Sequence, residues 1–115
     1  MALLSSHRDH LRLAWNAVRE HGRLAEDVVV AHIQAYAEAH GRRASYHDTM
    51  TRFWVRLIAH ALAARPEVTD FDGFLAAFPQ LLDKELFLRH WSREAMFASE
   101  ARAAWRAPDV VPLPF

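Results

Sequence analysis

With 115 residues, 52% of them hydrophobic, and only three glycines, the chain has the composition of one folded domain, which excludes a disordered or low-complexity protein. Fourteen basic residues balance fourteen acidic ones and Lys84 is the only lysine, so no basic stripe suited to nucleic acid is present. The lack of cysteine removes disulfides, thiolate nucleophiles and cysteine-held zinc; no segment reads as a signal peptide or membrane span, so a cytoplasmic domain is expected.

The first predicted helix starts after Ser6. A hydroxyl at the cap and Asp9 three residues later form a capping box with Asp in place of Glu, and Gly22 stops the helix after His21. Leu11, Ala14, Trp15 and Val18 recur at helical spacing as its buried stripe. A second helix runs from Leu24 or Ala25 to His40, with Gly41 as the left-handed residue beyond it. Its interior stripe reads as Val28, Ala31 or His32, Ala35, Tyr36 and Ala39, although the run Val28, Val29, Val30 leaves the face open.

The third helix is the most apolar. Ser45 with Asp48 suggests its cap, and Met50, Phe53, Trp54, Leu57, Ile58, Ala61 and Leu62 form a broad face that ends at Pro66. Thr69 with Asp72 opens a short helix carrying Phe71, Phe74, Leu75 and Phe78, broken near Pro79. A further short helix is expected over Leu81 to His90. Ser92 begins another, with Trp91 as a hydrophobic staple, interrupted or continued near Ser99 and ending about Arg106. From Ala107 to Phe115 three prolines forbid a helix, and Val110, Val111, Leu113 and Phe115 suggest an extended apolar strap laid on a surface. No strand alternation persists. The fold class is therefore all-α: a compact up-down-up helical bundle with short C-terminal helices and an extended proline-rich tail, in a single domain over 1–115.

That topology places three histidines together. Short connections at Gly22 and Gly41 make successive helices antiparallel, so the N-terminal ends of the first and third helices share one end of the bundle with the C-terminal end of the second. His7 lies seven residues before Ala14 and His10 one turn further on; His47 lies seven before Trp54. Imidazoles at i and i+3 with a third across the interface have the spacing by which bundles hold a divalent metal ion, with Tyr36, His40 and Asp48 as accessory groups.

Three buried imidazoles without partners would cost a large share of a stability of about 5–15 kcal/mol, so they must be hydrogen-bonded, exposed at the bundle end, or bound to something. Two readings follow. In one, His7, His10 and His47 bind a divalent metal or a small polar ligand, with catalysis left open. In the other, the protein is an interaction module or homodimer and the histidines are structural. His32, His60 and His90 read as packing or local capping groups, and His21 suits a helix C-terminus. Arg42 and Arg43 read as a solvated corner.

The segments His7-Arg8-Asp9-His10-Leu11 and Tyr46-His47-Asp48-Thr49-Met50-Thr51 resemble a loose group of short bacterial helical proteins with H-x-x-H-L near the N-terminus and Y-H-E-T-x-T in mid-chain. The group's function is uncharacterised, so the resemblance agrees with the candidate site at His7, His10 and His47 but implies no activity. Asp48 stands where that pattern has Glu, which shortens the reach of the carboxylate.

Overall fold

The capping box at Ser6 sets the first element of the computed structural model, which describes residues 4–115. Helix α1 spans His7–His21. The Ser6 hydroxyl accepts the Asp9 amide, and the Asp9 carboxylate accepts the Ser6 amide in return. Gly22, at φ 56°, ends α1 in a conformation that side-chain-bearing residues rarely adopt. A single 3-10 turn, Gly22–Leu24, then leads into α2, Ala25–Ala39.

That turn sets the phase of α2. Ala25, Val29, Val30 and Ala37 face inward, whereas Ala31, Ala35 and Ala39 are exposed, so the buried stripe is not the one read from Val28 and Ala35. The valine run carried too little contrast to fix the face.

Helix α3, Asp48–Ala64, is the central element and packs on both α1 and α2. Phe53 and Ile58 are fully buried, with Trp54, Val55 and Ala61 beside them. Its cap differs from the expected one. Ser45 belongs to a 3-10 turn, Arg43–Ser45, and its hydroxyl donates to the Arg42 carbonyl; the acceptor at the helix start is the His47 ring, which takes the Met50 amide at 3.1 Å.

Beyond α3 the chain wraps the bundle in short pieces. Helix α4, Phe71–Ala77, is capped by Asp70 rather than Thr69: the Asp70 carboxylate accepts the Gly73 amide, while the Thr69 carbonyl is held by Arg19. Instead of one helix over 81–90 there are two 3-10 turns, Pro79–Leu82 and Leu86–Arg89. Asp83 accepts the Glu85 amide between them, a local bond that competes with helix continuation. Ser92 caps α5, Arg93–Met96, and α6 covers Ser99–Ala103. Among the described residues there is no strand, and no helix is long and apolar enough to cross a membrane.

Two residues explain how the C-terminal segment is held. Thr49, fully buried on α3, donates to the Ala104 carbonyl at 2.9 Å and accepts the Arg106 amide at 3.0 Å, which stops α6 short of Arg106. Trp91, also fully buried, sits edge-on to Phe53 and donates its indole N–H to the Arg106 carbonyl. Further along, Asp109 binds Ser92 and the His90 backbone and ring bind Val110 and Val111. The tail is thus irregular and laid on the bundle, but polar bonds hold much of it. Val110 and Val111 remain exposed, Leu113 packs on the core, and Phe115, also exposed, lies tilted against the His60 ring.

Candidate functional site

The ends of α1, α2 and α3, with side chains from the segment 84–97, line a half-open cavity of about 570 Å³. His7 and His10 enter it from the first turns of α1, Tyr36 from the last turn of α2, and His47 from the residue before α3. Ala14, Val29, Ala37, Val55 and Phe87 supply buried apolar wall, and Trp54 lies edge-on to His7 with ring centroids 4.6 Å apart. The volume lies in the range of about 300–1,000 Å³ typical of small-molecule sites.

His47 is the most constrained group. Its Nδ1 accepts the Met50 amide, which requires the proton on Nε2, and Nε2–H donates to the Met96 carbonyl at 2.6 Å. Neither ring nitrogen is left for a ligand. Burial pushes the His47 pKa below the ordinary histidine value, outweighing the Met96 carbonyl, which favours the charged ring. The imidazole is therefore a neutral cap that ties the start of α3 to α5.

His7 is half-buried, and its Nε2–H donates to the Leu81 carbonyl at 2.7 Å. Burial again lowers its pKa, against the opposing effect of Leu81. Its Nδ1 has no partner among the described residues and, in the neutral ring, is a hydrogen-bond acceptor. His10 donates Nδ1–H to the Ser6 carbonyl at 2.8 Å, leaving Nε2 without a partner among the described residues.

The accessory groups divide. Tyr36 lines the cavity, whereas His40 lies outside it, exposed, stacked on Tyr36 at 4.1 Å and donating to the Tyr36 carbonyl. Asp48 also faces away from the cavity. Its buried carboxylate accepts the Tyr46 hydroxyl and the Arg52 guanidinium, both at 2.8 Å, and Arg52 and Arg56 continue to Glu26 on α2. Arg56 in turn covers the Trp105 ring. Burial, reinforced by the bond to Asp48, pushes the Tyr46 pKa far up, so its phenol stays neutral. This polar chain braces the cavity wall from behind and leaves Asp48 no role inside it.

The three predicted histidines thus meet at one cavity but do not form a ligand cage. Among the described residues, no group of three or more His, Asp or Glu side chains is arranged to hold a metal ion. Their nitrogens explain it: His47 has none free, and His7 and His10 have one each.

Several lining residues were not among the expected site groups. Trp54, seven residues after His47, and Tyr46, directly before it, could have been found from it. Lys84, Phe87, Arg93 and Phe97 could not, because the irregular segment after α4 delivers them from a remote part of the chain. Comparisons of the chain with protein-family models, curated proteins and solved structures give no match.

Proposed function

We propose that this protein binds a small organic ligand in the cavity at the histidine-bearing end of the bundle. The observation that carries the reading is the cavity itself: buried apolar walls with imidazole and phenol groups gathered at the ends of three different helices. An apolar cavity wall supplies affinity through the area it removes from water, and a few fixed polar groups supply orientation. His7, neutral and anchored through one nitrogen on Leu81, is suited to accept a hydrogen bond or a proton from a ligand hydroxyl.

A divalent ion fits less well. Two imidazole nitrogens, one from His7 and one from His10, fall short of the three or four protein ligands that metal sites ordinarily supply.

The test is a ligand-observed NMR screen with small aromatic and alicyclic compounds, read also by the Trp54 indole N–H signal and by melting temperature. Compounds that occupy the cavity perturb Trp54, raise the Tm by mass action, and lose affinity in Ala14→Phe, which fills the wall. A screen without binders, or binders indifferent to Ala14→Phe in a folded variant, overturns the proposal. A Tm gain with zinc that His10→Gln removes would put the metal reading ahead.

A further inference from the structure

The cavity is polarised by charge as well as by burial. Its apolar wall is buried, whereas Arg42, Lys84 and Arg93, all exposed, stand on its solvent side. Glu85 is the one carboxylate among the lining residues, and it is paired with Arg93 at 2.5 Å. The side chains of Arg42 and Lys84 make no hydrogen bond or ion pair among the described residues, whereas Arg8, Arg52, Arg56, Arg65 and Arg93 are each paired with a carboxylate. Among the lining residues the remaining polar groups add no negative charge, the Tyr46 phenol and the imidazoles of His7 and His47 being neutral; Asp83, just outside the lining, is the nearby carboxylate that acts on His7, and it makes no ion pair with Lys84. Three cations against two carboxylates, Glu85 and Asp83, therefore stand around a half-open apolar cavity, and two of the cations, Arg42 and Lys84, have no ion-pair partner among the described residues.

We infer that the cavity takes an amphipathic organic anion, with its apolar body among Trp54, Phe87 and Val55 and its acidic group at the mouth between Arg42 and Lys84. The inference rests on the cavity being a ligand site and specifies the chemical class it admits. An apolar body without charge would gain the wall but leave both cations unanswered. A small inorganic anion would gain the cations but leave the wall empty. Only a molecule with both parts uses both features. At the mouth the charges are partly screened, so their effect is a preference among ligands of one shape rather than the main source of affinity.

A matched pair of fluorescent probes with the same ring system separates the two contributions: anilinonaphthalene sulfonate, which is anionic, and phenylnaphthylamine, which is neutral. The wild-type protein is expected to bind the sulfonate about tenfold more tightly, and the double variant Arg42→Gln, Lys84→Gln to bind both probes about equally. Both substituted positions are exposed, so the variant keeps its fold, which its melting curve checks. Because Lys84 is the only lysine, reductive methylation with carbon-13 gives it a single side-chain NMR signal; saturation with the sulfonate must shift that signal. Equal or tighter binding of the neutral probe, a preference that survives in the double variant, or an unmoved Lys84 signal overturns the anion inference while leaving a cavity that binds neutral molecules. Failure of both probes to bind overturns the cavity reading itself, and this inference with it.

Discussion

The Nε2–H of His47 donates to the carbonyl of Met96, 49 positions further along the chain and 2.6 Å away, while its Nδ1 takes the Met50 amide. One imidazole thus performs two structural tasks: it caps α3 and fastens α5 to it. A ring used in this way contributes to the fold at the same place where it contributes to the cavity wall.

Replacement of His47 should therefore cost stability. His47→Ala loses a cap, worth about 1 kcal/mol, and leaves the Met96 carbonyl without its donor at a similar cost, so a loss of about 2–3 kcal/mol is expected in denaturant melts. His47→Asn restores an acceptor for the Met50 amide but cannot reach Met96, and should recover about half. Equal stability of the three proteins would falsify the capping role.

The same burial makes stability depend on pH. His7 and His47 have lower pKa values in the folded chain than the ordinary 6.5, because burial disfavours their charged forms. Above that value both are neutral in the folded and unfolded chains and the full stability is present. As pH falls below 6.5, the unfolded chain takes up protons that the folded chain refuses, so stability declines until the folded pKa values are reached. Melting curves between neutral and mildly acid pH should show the fall, and His47→Asn should flatten it. A wild-type Tm that is constant or rises on acidification over this interval contradicts the assignment.

Thr49 should govern how firmly the C-terminal segment is held. Thr49→Val keeps the shape but removes the donor to Ala104 and the acceptor for Arg106, with an expected loss of about 2 kcal/mol. Hydrogen exchange at the Arg106 amide should accelerate, while the His90 contacts to Val110 and Val111 keep those amides protected. Unchanged exchange at Arg106 would show that Thr49 is not what anchors the segment.

Much of this molecule is local information. The box at Ser6 and Asp9, the stops at Gly22 and Gly41, and the broad apolar face of α3 each depend on residues within one or two helical turns, so periodicity and capping chemistry were enough to read them. Antiparallel helices joined by short turns then brought His7, His10, Tyr36 and His47 to one cavity. The nitrogen assignments were not legible. Whether an imidazole is a ligand or a cap depends on which carbonyl lies opposite it, and Leu81 and Met96 arrive there through irregular segments with no periodic signal. The caps at Asp70 and His47 were displaced from Thr69 and Ser45 because backbone and hydroxyl groups at those positions found other partners. The sequence alone determined the three long helices and which end of the bundle gathers the polar groups, since those follow from hydrogen bonds and burial within a few residues. Tertiary structure alone decided which nitrogens stay free, where Thr49 and Trp91 anchor the tail, and that Arg42 and Lys84 face one apolar space, because each of these depends on contacts between distant segments.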